Sequence, residues 1–276
     1  MSLEAALPLL RCPVCGAPLH LATQVVRCAG GHAFDIARQG YVNLTTGARH
    51  HGDTAAMIAA RQRFLAAGHY APVAAAVTAA VAEHAPPGPV LDLAAGTGWY
   101  AARLLDGAPD RVGVAVDVST AGLRRAARAH PRLAAVGADA WATLPVPDGA
   151  FAVVLSVFGP RTAGEIARVL RPGGVAVVAS PAPEHLAEAV GPLGMVGVDA
   201  AKPDRLREAF ADFSGVGPST AVRQELALTH AALRDLVTMG PTGHHLDEAT
   251  VAARVAAVPE PFTVTAAVDV TVFRRG

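Results

Sequence analysis

"VLDLAAGTGWY", residues 90–100, packs a strand, a turn and a helix start into one short stretch. Val90, Leu91 and Leu93 form an apolar run of the kind that parallel sheets bury on both faces. Gly96-Thr97-Gly98 makes a tight turn, and "WYAARLL" continues from Trp99 as a helix. A strand that feeds a helix through glycines presents unpaired N–H groups to a ligand, and the small residues let the ligand come close. The spacing D-x-A-x-G-x-G differs from the dinucleotide pattern G-x-G-x-x-G. Asp92 stands at the strand end, where a carboxylate would repel a pyrophosphate but attract a cationic amino-acid group.

The chain beyond this turn repeats the pattern. "RVGVAVDVS" ends in Asp117, nineteen residues after Gly98, the distance at which an acid accepts both ribose hydroxyls. "AAVGADAW" brings Asp139 and Ala140 to a third strand end, near where an adenine would lie. "FAVVLSVFGP" and, after the turn "RPGG" at Arg171–Gly174, "VAVVASPAP" are further strands, with helices expected to alternate between them all. "VRQELAL" and "FTVTAAVDVTVF" are expected as a last antiparallel pair, with two intervening helices covering the substrate. The fold predicted is α/β, a class I, Rossmann-like doubly wound sheet with its ligand along the carboxyl ends of the strands. The ammonium and sulfonium of S-adenosylmethionine (SAM) suit Asp92. A nicotinamide enzyme is the rival, disfavoured by the glycine spacing and by the order of the acids.

The other informative stretch is "RCPVCGAPLHLATQVVRCAGGH", residues 11–32, which holds every cysteine of the chain. Cys12, Cys15, Cys28 and His32 form a Cys₃His set on two short loops, a closed structural zinc arrangement with no open position. "HLATQVV" between the loops is expected to form a small ribbon that does no chemistry, with zinc supplying its folding energy. A redox CxxC should open a helix beside a βαβ unit, and Pro13 and Pro18 oppose that. In "GDTAAMIAARQRFLAAGHYAPV", Asp53 or Thr54 caps a helix with Met57, Ile58, Phe64 and Leu65 on one face. Gly68 ends it and Pro72 opposes its continuation. The organisation expected is a zinc-binding ribbon over residues 1–46, a helical linker contributing to the cofactor cleft over 47–85, and the SAM-dependent domain over 86–276.

Composition excludes several classes. Half of the 276 residues are hydrophobic (52%), yet the longest apolar run, Ala71–Ala82, is too short to span a membrane and contains a proline. "MSLEAALPLL" lacks the basic region of a secretory signal, so a cytoplasmic protein without membrane contact is expected. The formal net charge is zero, but residues 1–82 carry six arginines against Glu4, Asp35 and Asp53, an excess of three.

Taken together, the Cys/His set, "GHAFDIARQGYVNL", "GDTAAMIAARQRFLAAGHY", the SAM turn, "FGPRTAGEIARVLRPGGVAVVASPAPEHL" and "VTMGP" resemble the RlmA/TlrB-type 23S rRNA (guanine-N1)-methyltransferases over nearly the full length. The resemblance implies zinc at Cys12, Cys15, Cys28 and His32, and SAM contacts at Tyr70, Gly96, Thr97 and His185. It also implies N1-methylation of a guanine in a 23S rRNA hairpin, with no DNA partner and with a homodimer left open. The role would be either rRNA maturation or self-protection against a macrolide of the tylosin or mycinamicin type. Two departures stand out: Ala94 replaces the usual first glycine, and "MGPTGHH" lacks the aromatic often found after its proline.

Guanine N1 carries a proton at neutral pH and is buried in base pairs, so the target must be unstacked and deprotonated. Phe158 is the foremost stacking candidate, with Trp99 and Tyr100 as alternatives. The Asp/Asn-Pro-Pro-aromatic loop of amino methyltransferases is absent, "SVFGP" standing in its place, and the general base is left among His69, Asp139 and solvent. Arg38, Arg49, Arg61 and Arg63 are expected on RNA phosphates. A small-molecule SAM-dependent methyltransferase and a non-catalytic RNA-binding protein are the alternative classes.

Overall fold

The computed structural model describes residues 2–47, 51–216 and 219–276; Arg49 lies outside them. Twelve strands run through the described chain. The first four are β1 (Leu19–Ala22), β2 (Val25–Cys28), β3 (Ala33–Asp35) and β4 (Val42–Asn43). β5 (Val90–Leu93), β6 (Gly113–Asp117), β7 (Leu133–Gly137) and β8 (Phe151–Val157) follow. The last are β9 (Leu170–Pro181), β10 (Ser214–Val216), β11 (Thr220–Leu228) and β12 (Phe262–Arg274). β1, β2 and β3 make the antiparallel ribbon, and "HLATQVV" forms its first hairpin.

The remaining strands form one nine-stranded sheet in the order β10-β12-β9-β8-β5-β6-β7-β4, with β11 also paired to β12. β5 is central, parallel to β6 on one side and to β8 on the other. The order reverses there, so the crevice at its carboxyl end is the topological switch point where ligands bind. β12 runs antiparallel between β9 and β11, as the C-terminal pattern predicts.

Strand alternation divides the core in two. Val90 packs with Val77, Leu104 and Leu236 on one face; Leu91 and Leu93 pack with Leu7, Ile166 and Phe210 on the other. The second core is continuous with the ribbon through Cys12, Val26 and Cys28. β4 also joins the ribbon to the main sheet, pairing Val42 with Val136 and Asn43 with Gly137. The Arg11 N–H donates to the Pro145 carbonyl at 2.8 Å, a second tether across the same junction.

Two local expectations are corrected. No helix lies between β7 and β8, because Pro145 and Pro147 interrupt the segment 138–150. Arg168 holds this segment instead, donating to the Leu144 and Val146 carbonyls and pairing with Asp148 at 2.6 Å. "RPGG" is part of β9, which begins at Leu170, and the pairing with β8 shifts register there. A third point agrees with expectation: the helix Ala55–Ala66 ends before Gly68, and Pro72 sits in the first turn of a separate helix, Ala71–His84, bent 81° from it. No single helix among the described residues is long and apolar enough to cross a membrane.

Candidate functional site

The metal cluster forms where the sequence places it. Sγ of Cys15 lies 3.6 Å from Sγ of Cys28, and Nδ1 of His32 is 3.6 Å from Cys12 and 3.3 Å from Cys28. All four donor atoms fall within 4.8 Å of one another. A tetrahedron built on zinc–sulfur bonds of about 2.3 Å has edges of about 3.8 Å, somewhat shorter to nitrogen. The donor set therefore fits zinc in both geometry and chemistry. Cys12 and Cys28 are buried while Cys15 faces solvent.

Around the β5 turn, the carboxyl ends of β5 to β9 open onto a cleft of about 780 Å³, within the range of roughly 300–1,000 Å³ usual for small-molecule sites. Ala94 takes φ +51°, the left-handed conformation that favours glycine, so the turn tolerates alanine at a cost of about 1 kcal/mol. Gly96 follows at φ +55°, and a Cβ there would lie 2.9 Å from Nη1 of Arg61. The Gly96 N–H donates to Asp117 Oδ2 at 2.7 Å, and the Ser119 N–H donates to Oδ1 at 2.7 Å. Burial raises the Asp117 pKa against these two hydrogen bonds. Each carboxylate oxygen keeps a second lone pair for a ligand hydroxyl.

Asp92 is 2% exposed and lies on the β5 face opposite Leu91 and Leu93. Burial first, then the nearby Asp117 carboxylate, raises its pKa to about 8. Such an acid is held neutral until a cation arrives. Asp139 and Ala140 follow β7 on the same cleft, where Asp139 Oδ1 accepts from the Trp141 N–H at 2.9 Å.

The mouth of the cleft is aromatic. Tyr70, Phe158 and His185 surround one another with ring centroids 5.7, 5.9 and 6.2 Å apart. Nδ1 of His185 accepts the Ala267 N–H at 3.1 Å, so the neutral ring carries its proton on Nε2. That Nε2–H donates to the Tyr70 hydroxyl at 3.3 Å and leaves the tyrosine's own proton for another acceptor. Burial lowers the His185 pKa to about 4 and raises that of Tyr70. Phe158 is 41% exposed and takes φ +55°, an outlier for a bulky side chain, held by its N–H bond to the Ala179 carbonyl at 2.9 Å. Backbone strain of this kind concentrates at functional sites.

Several residues sit elsewhere than expected. His69 stacks on Phe64 at 4.6 Å and does not line the cleft, which removes it as a base candidate. Trp99 is covered by the Arg103 guanidinium at 4.2 Å and likewise lies off the cleft. Tyr100 lines it, but its contribution is a buried hydroxyl with no hydrogen-bond partner among the described residues rather than an open ring face. Arg61 turns into the cleft, paired with Asp53 at 2.6 Å and donating to the Met239 carbonyl at 2.7 Å. Arg63 is held by Asp235 through bonds of 2.6 and 3.0 Å, which joins two helices. Arg61 is therefore not turned outward to a phosphate; Arg63 is exposed but already paired, and Arg38 is exposed. Sequence reasoning missed the inward face of Arg61 because the Asp53 partnership depends on how the helix docks.

Comparison with known proteins gives consistent matches. Residues 10–46 match the family model described as "RlmA, N-terminal", and residues 90–174 match "Methyltransferase domain". A protein from Micromonospora griseorubida, assigned as a 23S rRNA (guanine-N(1)-)-methyltransferase, is 50% identical over 97% of this chain and 98% of its own. The 23S rRNA (guanine(748)-N(1))-methyltransferase of Streptomyces fradiae is 45% identical over 96% of each chain. Bacillus subtilis YxjB, assigned the same guanine-N(1) activity, is 30% identical over 65% of this chain and 67% of its own.

Proposed function

Because the chain belongs to the RlmA/TlrB-type 23S rRNA (guanine-N1)-methyltransferase family, we propose that it methylates N1 of a guanine in a 23S rRNA hairpin. It is a SAM-dependent methyltransferase that carries a structural zinc ribbon. Guanine 748, the position in the Streptomyces fradiae relative's name, is the target we put forward. The observation that carries the reading is a single cleft that is acidic at two strand tips and aromatic at its mouth. The acids suit a cationic cofactor, and the rings suit a planar base.

SAM, when bound, supplies an electrophilic methyl group on a sulfonium. Asp92 would hold its ammonium, and Arg61 with the Tyr100 hydroxyl would hold its carboxylate. Gly96, Thr97 and Gly98 keep the backbone flush against it. Asp117 accepts the ribose hydroxyls, and Asp139 and Ala140 border the adenine. Tyr70 directs its hydroxyl proton at the ligand, oriented by His185. Phe158 stacks on the extruded guanine, and alignment of N1 with the methyl group supplies most of the rate enhancement. His185 uses one nitrogen to accept and the other to donate, and burial keeps Tyr70 protonated. Neither takes up the N1 proton, which leaves Asp139 or water.

The ribbon, with Arg38 and Arg49, selects the hairpin by its shape and phosphates. Purified protein with labelled SAM and 23S rRNA lacking the modification should incorporate label. N1-methylation blocks Watson–Crick pairing, so reverse transcription should stop beside guanine 748. No incorporation overturns the proposal, and transfer to small molecules alone favours the small-molecule methyltransferase class. Growth of an expressing strain on tylosin separates macrolide self-protection from maturation.

A further inference from the structure

The cleft that holds Phe158 and the strand-end acids also has a basic wall. Arg161, Lys202 and Arg205 all line it, and Lys202 is the chain's single lysine. Asp117 and Asp139 follow β6 and β7, whereas Arg161 follows β8 and Lys202 opens the helix Lys202–Ala209; the Thr162 hydroxyl donates to the Ala140 carbonyl at 3.2 Å, so Arg161 borders the segment that carries Asp139. The Arg161 guanidinium reaches the Lys202 carbonyl at 3.5 Å. Arg205 is paired with Asp199 at 2.7 Å, and the other Asp199 oxygen accepts the Ala201 N–H. Among these three cations, Arg205 is thus ion-paired through Asp199. Arg161 and Lys202 are both half-buried, and the Lys202 ammonium lies close enough to His185 to disfavour protonation of that ring. Burial first, then Arg161 and Arg205, lowers the Lys202 pKa. Half-buried cations that repel one another are stabilised by an anion placed between them.

We propose that Arg161, Lys202 and Arg205 form a phosphate subsite for the RNA backbone next to the extruded guanine, with Phe158 taking the base. This rests on the rRNA reading given above. A nucleotide turned out of a stack brings a phosphate within a few ångströms of its base, and the aromatic and cationic walls of this cleft are adjacent in the same way. The guanidiniums supply forked donors, whereas the lysine acts as a point charge. The ribbon then grips the hairpin at a distance, while this cluster fixes the register of the target nucleotide.

The experiment measures binding of a 23S rRNA hairpin spanning guanine 748 across a salt series, together with S-adenosylhomocysteine binding, for the wild type, Lys202→Met and Lys202→Arg. A phosphate contact contributes about 0.7 to 0.9 to the slope of log affinity against log salt. We expect Lys202→Met to lose about that much slope and to bind RNA about tenfold more weakly at low salt, with S-adenosylhomocysteine affinity unchanged. Lys202→Arg should restore both. A wild-type slope in Lys202→Met overturns the subsite alone. A wild type that binds S-adenosylhomocysteine but not the hairpin overturns the rRNA reading and the subsite with it.

Discussion

Asp92 should make cofactor binding release a proton. With a pKa of about 8 in the ligand-free protein, the carboxyl is about nine-tenths protonated at pH 7. Pairing with the ligand ammonium requires the ionised form, so binding at pH 7 should expel about 0.9 proton. An α-ammonium with a pKa near 7.8 is already mostly charged at that pH and takes up only about 0.1 to 0.2 proton. Net release should therefore be about 0.7 proton per S-adenosylhomocysteine bound, read by calorimetry in buffers of different ionisation enthalpy. The Asp92→Asn variant should release none. Stability is linked to the same group. Its folded pKa is raised above the unfolded value, so its contribution is fully present below about pH 4 and is lost as pH rises through about 8. Ligand-free wild type should thus lose stability relative to Asp92→Asn across that window, by on the order of a few kcal/mol. A binding enthalpy indifferent to buffer, or equal proton release from both proteins, refutes the role given to Asp92.

Other outcomes follow from particular contacts. Chelation should remove one zinc per chain and lower the main thermal transition, because Cys12 and Cys28 belong to the same core as Phe210 and Ile166; an unmoved transition would show that the ribbon melts alone. Ala94→Gly should raise stability by about 1 kcal/mol, or roughly 2 °C on thermal melting, by relieving the left-handed alanine; no rise would mean the turn carries no strain. Arg61→Met should weaken SAM binding at least tenfold yet leave the affinity of decarboxylated SAM unchanged; equal losses for both ligands would remove Arg61 from the carboxylate.

What the sequence discloses is what its neighbours in the chain determine. The glycine turn, the strand acids and the Cys/His set are each built within a few residues or by one hairpin, so spacing alone reveals them. The side chains of Arg61 and Arg63 are on one helix, and only docking against Asp53 and Asp235 decides that one faces the cleft and the other clamps a helix. The tautomer of His185 depends on the Ala267 N–H in a strand more than eighty residues away. The missing helix between β7 and β8 was legible in Pro145 and Pro147, but the expected alternation of strands and helices overrode it. The basic cluster was hidden because Arg161 and Lys202 are 41 residues apart and meet only in the folded chain.

The join between ribbon and sheet gives this geometry its use. β4 pairs with β7, and the Leu44 N–H donates to the Gly137 carbonyl at 2.8 Å, one residue before the segment that carries Asp139 and Ala140. Pro145, in that same segment, accepts the Arg11 N–H beside the first metal ligand. The loop bordering the proposed adenine site is thus hydrogen-bonded to N-terminal backbone at its start and again at Pro145. A ribbon fixed this way cannot tilt without disturbing the edge of the main sheet, and the continuous core beneath it resists the same motion. If RNA is held on the ribbon as proposed, it would be set at a fixed span from the cleft, and only a nucleotide at that span would reach Phe158. Target choice would then be a length measured by a rigid body, with no base-specific contact required from the metal-bound head.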